Sequence, residues 1–277
     1  MNIIGLGKAG CAIADKFAEY PQYKVFKIDV DLEGKNCFNV PKQKSPEAYE
    51  ENAPSMKKFF SKVSGEVMFV VCGAGMISGM SLTALQHLSK HNVSVLYIQP
   101  DISLLSEKKM LQERVVFNVL QQYTRSGLLE RVYLVSNSRV EEIMGDIPII
   151  GYYDTINGMI VSCLHMINVF TNAEPVLGRL EEPGDTSRIA TMGFLDLEKN
   201  EEKMLFSLDK TRECCYIYSL NERKLRESTG LHKQIVKQVK DKKETGDMKI
   251  SYGVYPTKYD DDFAFCIAFS STIQGEN

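Results

Sequence analysis

Between Glu66 and Ser81 the chain reads EVMFVVCGAGMISGMS, an apolar strand that runs straight into glycines at 73, 75 and 79. Glycine there lets the backbone approach an anion closely, and a helix starting near Ser81 would aim its free N–H groups at the same point. The pattern suits a phosphate cradle. A second such turn opens the chain, Ile3-Ile4-Gly5-Leu6-Gly7-Lys8-Ala9-Gly10, again between a short apolar strand and a helix. Alone it fits Gly-x-Gly-x-x-Gly, with Asp29 or Asp31 closing the second strand about twenty residues later, the fingerprint in which glycines admit a pyrophosphate and the acid takes the ribose hydroxyls. That reading makes the chain an NAD-dependent oxidoreductase with a Rossmann domain. A second phosphate loop has no task in that scheme, and no obvious acid–base set stands beside a nicotinamide.

The elements that must hold these turns alternate from Met1 to about Asn172. Strand-like runs cover Asn2 to Gly5, Lys24 to Val30, Glu66 to Val71, Val93 to Gln99 and Arg131 to Ser136. Helix-like runs cover Gly10 to Glu19, Ser55 to Val63, Ser81 to His91 and Glu107 to Tyr123. Such alternation means a mostly parallel sheet covered on both faces, with ligands at the carboxyl ends of the strands. A longer helix is expected from about Pro148 to Phe170, with Ile149, Tyr153, Ile156, Ile160, Leu164 and Ile167 at helical spacing and buried between two bodies of structure. Thr171 to Ser187 reads as an exposed connection. Beyond it the spacing predicts strands at Arg188 to Leu197, Cys214 to Leu220, Met248 to Tyr255 and Phe263 to Thr272, and one charged helix from Glu222 to Lys243. The fold class is therefore α/β: a Rossmann-like nucleotide-binding domain over 1–172 that includes the long central helix, and a smaller α+β domain over 173–277.

The chain has 277 residues, 44% hydrophobic and 25% charged, with a net charge of −3, the profile of a globular protein. Without a long basic run, neither direct nucleic-acid binding nor a membrane surface is expected. Apolar stretches are of strand length and no signal-peptide pattern is visible, so a cytoplasmic protein is expected. The seven cysteines include no CxxC pair and read as small core residues in a reducing compartment. His87 and His91 lie one helical turn apart without a further ligand type beside them, so no protein metal site is expected.

Taken together, these residues resemble the tubulin/FtsZ superfamily of GTP-binding cytoskeletal proteins. Its first loop is similar to Gly5-Leu6-Gly7-Lys8-Ala9-Gly10-Cys11, and its signature Gly-Gly-Gly-Thr-Gly-Ser/Thr-Gly is approached by Gly73-Ala74-Gly75-Met76-Ile77-Ser78-Gly79. Asn137 then falls where the family places an amide against guanine. Tyr153-Asp154-Thr155-Ile156-Asn157 is similar to the tubulin pattern Tyr-x-x-x-Asn at the start of the central helix. The resemblance implies GTP or GDP with Mg2+: Tyr153 stacking on the purine, Asn157 and Asn137 reading its polar edge, Glu107 at the ribose, and Asp29 and Asp31 near the phosphates and the magnesium. Each residue also has a plainer role. Tyr153 suits a core aromatic, Asn137 a turn cap, Glu107 the first turn of a helix, and Lys8 either balances phosphate charge or is solvated.

Two departures stand out. Met76 and Ile77 replace a threonine and a glycine of the signature, removing a hydroxyl and some backbone freedom. The Asn-x-Asp-x-x-Asp motif by which FtsZ supplies acids to its neighbour's nucleotide is missing, and Asp185, with Glu182, is the positional substitute between Thr171 and Ser187. The resemblance implies head-to-tail assembly of the chain with itself into filaments and GTP hydrolysis at the subunit junction. A non-polymerising or non-hydrolysing nucleotide-binding regulator of the same fold is the alternative that the altered loop motivates.

Overall fold

The computed structural model describes residues 1–244 and 248–275. It divides into two compact units, one formed by Met1–Val161 with the segment from Ile273 onward, the other by Ser162–Thr272. The partition falls inside the long helix, whereas the change of style in the sequence comes after it.

In the first unit, strands β1 (Asn2–Leu6), β2 (Lys24–Asp29), β3 (Cys37–Asn39), β4 (Val67–Cys72), β5 (Val93–Gln99) and β6 (Arg131–Ser136) pair in the order β3-β2-β1-β4-β5-β6. Every pairing is parallel. Residues Asn2–Leu6 and Val67–Val71 are buried without interruption, and because successive side chains point to opposite faces, both faces of this sheet are covered. The chain leaves β1 to one side, toward β2, and later returns on the other side as β4. β1 and β4 are therefore neighbours at the point where the strand order reverses, the place where open α/β sheets leave a crevice. Both glycine turns start from these two strands.

Helix α1 (Gly7–Phe17) packs on them at unusually short range. A Cβ on Gly5 would lie 2.4 Å from the Gly10 carbonyl oxygen, and one on Gly10 would lie 2.5 Å from that of Val70. Between β3 and β4 come α2 (Pro46–Glu51) and α3 (Lys57–Phe60); after β4 come α4 (Ser81–His87), α5 (Glu107–Arg125) and α6 (Asn137–Met144). The sequence reading lacked α2 and α6 and made α3 and α4 too long. Yet α2 carries an ordinary start signal: the Ser45 hydroxyl accepts from the Ala48 N–H at 3.2 Å, and Pro46 sits in the first turn.

The long helix α7 runs Tyr152–Thr171, later in the chain than expected. Ile156, Ile160, Leu164 and Ile167 are buried as their spacing required, but Ile149 lies ahead of the helix and is 93% exposed, and Tyr153 is 67% exposed. Pro148 and Gly151, the latter at φ +84°, keep this stretch out of the helix.

In the second unit, β7 (Leu177–Arg179), β8 (Ile189–Asp196), β9 (Glu201–Met204), β10 (Glu213–Asn221), β11 (Lys249–Thr257) and β12 (Phe263–Ser270) form a mixed sheet ordered β8-β12-β10-β11-β7, with β9 pairing β8 off this path. Only β10 and β11 run parallel; the rest pair antiparallel. The charged segment is two helices, α8 (Glu222–Glu227) and α9 (Leu231–Glu244), because Ser228, Thr229 and Gly230 interrupt it. Ile235 and Val239 of α9 join Tyr216, Tyr218 and Cys266 in one apolar cluster. The opposite face meets the C-terminal half of α7, where the Phe170 ring lies 4.9 Å from that of Tyr255 and 6.3 Å from that of Phe265. Helices thus cover both faces of this sheet, α9 one and the C-terminal half of α7 the other. No helix among the described residues is long and apolar enough to cross a membrane.

Because the contact made by Gly10 is with backbone, which has no rotamer to yield, Gly10→Ala should lower unfolding stability by about 1–3 kcal/mol in chemical denaturation. An unchanged midpoint would show that α1 does not need to sit this close to β4.

Candidate functional site

The β1–α1 turn is built by Gly7, at φ +72°, which lets the strand enter the helix without a connecting loop. Lys8 is exposed and Ala9 half-buried. The Cys11 side chain turns inward: its thiol donates to the carbonyls of Gly5 at 3.5 Å and Ile28 at 3.7 Å, and burial, reinforced by Asp29, pushes its pKa up to about 12. It is a neutral packing group, as the sequence reading expected of all seven cysteines, and none of the seven forms a disulfide.

The β4 turn is shorter than its glycine spacing suggested. After Gly73, Ala74 and Gly75 the chain enters a 3-10 helix, Met76–Met80, which leads directly into α4. A Cβ on Gly73 would lie 2.0 Å from the Tyr97 hydroxyl, and one on Gly79 would lie 2.1 Å from the Pro46 carbonyl oxygen. Only Gly75 faces open space, with its nearest such contact at 3.7 Å, and it is exposed. Two of these three glycines thus answer to packing behind the turn. The Ser78 hydroxyl is engaged there too: it reaches the carbonyls of Gly73 at 2.7 Å and Gly75 at 2.6 Å and accepts from Gln112 Nε2 at 3.1 Å. Met76 is 47% exposed, while Ile77 is buried with its Cγ2 only 2.6 Å from where a Gly7 Cβ would be. The isoleucine that replaces a glycine of the pattern therefore binds the two turns together.

Behind Gly73 sits a group that the sequence reading missed. Glu113 of α5, 5% exposed, accepts from the Tyr97 hydroxyl at 3.0 Å and from Gln99 Nε2 at 3.4 Å. Burial raises its pKa above the ordinary carboxylate value, more than its two donors and Arg114 lower it; the Tyr97 pKa is pushed well up by burial and by Glu113. A carboxylate in a helix of otherwise amphipathic pattern carries no local signal of burial, so only a Tyr97 partner in space could have revealed it.

Of the remaining predicted residues, Asp29, Asp31, Glu107 and Asn137 lie at or beyond the carboxyl ends of β2, β5 and β6 of the first unit's sheet. Asp29 ends β2 and accepts from the Val30 N–H at 2.8 Å; burial and nearby Asp31 raise its pKa against the pull of that N–H and of Lys8. Asp31 is exposed, in the left-handed region at φ +54°. Glu107 is exposed in the first turn of α5. Asn137 opens α6 directly after β6, and its Oδ1 is buried without a hydrogen-bond partner. Such an acceptor has lost its water and gained no donor, which costs about 1–3 kcal/mol unless a ligand supplies one. Tyr153 is exposed, its ring edge-on to Tyr152 at 5.2 Å, and Asn157, one turn on, is 9% exposed. In the second unit Glu182 and Asp185 are both exposed, and the Asp185 carbonyl accepts from Arg188 Nε at 2.8 Å.

No protein-family model and no curated protein matches the sequence, but solved structures match the fold over nearly its whole length. A GTPγS-form protofilament of TubZ from Bacillus thuringiensis serovar israelensis superposes with a TM-score of 0.71 at 13% identity, covering 97% of this chain and 88% of that one. GDP-bound CetZ1 from Haloferax volcanii gives 0.69 at 15% identity over 98% and 94%. The FtsZ dimer of M. jannaschii gives 0.67 at 11% identity over 97% and 87%. The chain has the tubulin/FtsZ fold. At identities this low the likeness is one of fold and not of overall sequence. Within this tubulin/FtsZ frame, the departure at Ile77 is an added packing contact between the two glycine turns.

Gly7→Ala adds a methyl group where Ile77 already sits, at a positive φ, and should cost about 1–3 kcal/mol of stability. Combined with Ile77→Ala, which alone leaves a cavity worth about 2–5 kcal/mol, the pair should fall short of additivity by roughly 0.5–3 kcal/mol in a double-mutant cycle. Strict additivity would mean that the two turns do not touch. For Glu113 the native state holds its proton at pH values where the unfolded chain has released it. Stability should therefore fall as pH rises from the ordinary Glu value of 4.5 toward the raised native value, and Glu113→Gln should flatten that interval in denaturation curves taken across pH.

Proposed function

We propose that the first unit binds a guanine nucleotide across the two glycine turns and that the chain assembles with itself head to tail, hydrolysing GTP at the subunit junction. The observation that carries this reading is the buried, unpartnered Oδ1 of Asn137, at the same strand edge as both turns, in a fold shared with TubZ, CetZ1 and FtsZ. An amide oxygen accepts from the N–H groups on the polar edge of guanine; adenine presents its own donor elsewhere. The exposed Tyr153 ring offers a stacking face, Asn157 a second amide, and Glu107 an acceptor for a ribose hydroxyl. Gly5, Gly7, Lys8, Gly10 and Cys11 line the first turn and Gly73, Ala74, Gly75, Met76, Ser78 and Gly79 the second, where backbone N–H groups and the start of α1 favour phosphate.

The carboxylates of Asp29 and Asp31 suit a magnesium ion carried in with the phosphates, which would neutralise phosphate charge. With Met76 in place of a hydroxyl residue and the Ser78 hydroxyl spent inside its own loop, the chain relies on backbone donors at the terminal phosphate. For hydrolysis, Asp185 and Glu182 of one subunit orient water at the nucleotide of the next, a positional contribution that only an assembled pair completes.

Support for assembly comes from the neighbours, whose structures include TubZ protofilaments, and from the surface beside the site. Ile149 and Ile150 are 93% and 94% exposed and Tyr153 is 67% exposed, a cluster of apolar side chains of the kind that marks an interaction site.

In thermal-shift assays GDP and GTP, but not NAD or ATP, should raise the melting temperature, a ligand at 100 times its Kd adding about 2.7 kcal/mol. Asn137→Ala should weaken GDP binding roughly 3- to 10-fold, the value of one hydrogen bond. GTP should produce a pelletable polymer that Ile149→Asp with Ile150→Asp abolishes while nucleotide binding persists. Protection by NAD alone would overturn the nucleotide assignment. A chain that stays monomeric at high concentration with GTP, or phosphate release that scales only linearly with concentration, would overturn assembly or junction hydrolysis in turn.

A further inference from the structure

Behind the second glycine turn, on the side away from β1, α2, the start of α4 and α5 enclose a groove of about 380 Å3. Its body is apolar, formed by Leu82, Leu111, Val115 and Val119, of which Leu111 is 62% and Val115 51% exposed although both are on the face of α5 that looks into the groove. Its inner wall is Ser78 and Gly79, and its rim carries Glu47, Glu50 and Lys108. The volume is that of a small-molecule site.

The rim decides the sign of the ligand's charge. Glu47 is exposed and is drawn below the ordinary carboxylate range chiefly by a hydrogen bond from Ser45, so the rim carries two carboxylates against the single ammonium of Lys108. Glu50 has no ion-pair partner among the described residues. A cation at the rim meets this carboxylate, whereas an anion meets two carboxylates and one ammonium. We propose that this groove is a second ligand site, backing on Ser78 and Gly79 of the second glycine turn, that takes a small cationic amphiphile: an aromatic or aliphatic body on Leu82, Leu111, Val115 and Val119, and an ammonium at Glu50.

Phenylbutylamine, protonated at neutral pH, is the probe, and phenylbutyrate is its counterpart with the same body and the opposite charge. With the nucleotide-free chain, isothermal titration should give saturable one-to-one binding of the amine. The Ser78 and Gly79 amide resonances should shift in step with it. Val115→Trp, which fills the groove from an exposed position and is compatible with folding, should abolish binding. Glu50→Gln should weaken the amine roughly 2- to 5-fold, as expected of a partly exposed charge pair, and leave phenylbutyrate no weaker than before. Absence of saturable binding, equal binding by the Trp variant, or equal affinity for the two probes would each overturn the proposal. So would loss of self-association in Val115→Trp without loss of amine binding, which would make the groove a contact between copies of the chain. Because the titrations contain no nucleotide, their failure leaves the guanine-nucleotide reading untouched, and the failure of that reading leaves them interpretable.

Discussion

Everything at the site depends on how closely helix α1 lies on strands β1 and β4. With hydrogens for side chains at positions 5 and 10, its backbone comes within contact of the Val70 carbonyl, and β1 and β4 are adjacent only because the sheet reverses its strand order there. The consequence is that turns separated by more than sixty residues of chain emerge side by side. A larger residue at either glycine would push the helix outward and separate them, since backbone cannot yield as a side chain can.

The second turn is held from behind. α5 contributes Gln112 to the Ser78 hydroxyl and Glu113 to the Tyr97 hydroxyl, and Tyr97 in turn occupies the space that Gly73 leaves. A loop whose carbonyls at Gly73 and Gly75 are tied to its own serine presents a fixed shape before any ligand arrives, which lowers the ordering cost of binding. Ile77, lying over Gly7, extends the same bracing across to the first turn. What looked in sequence like a loss of glycine freedom is, in the fold, a gain in packing.

The second unit shows a comparable division of labour. Residues alternating along β10 and β12 are buried toward α9 on one face and α7 on the other, so the loop that carries Glu182 and Asp185 is fastened to a sheet with little freedom of its own. Within that loop Glu181 pairs with Lys249 at 2.9 Å, and the Gly184 N–H bonds Glu213 at 2.9 Å. The two remaining acids stay exposed beside a tied backbone.

From residue order alone, the five principal parallel strands, both glycine turns, the long helix and four of the six strands of the second sheet were legible, because each rests on local periodicity: apolar runs of strand length, helical spacing, glycine punctuation. Helix α2 was legible as well, in Ser45 and Pro46, and went unread. Tertiary structure alone decided the rest. No local pattern distinguishes a glycine that admits a ligand from one that admits Tyr97 or Pro46, since both demand the same missing Cβ. Nor does helical spacing reveal that Tyr153 faces solvent, or that Glu113 is buried against a tyrosine from β5. Those facts depend on which distant segment arrives opposite, and sequence separation carries no record of that.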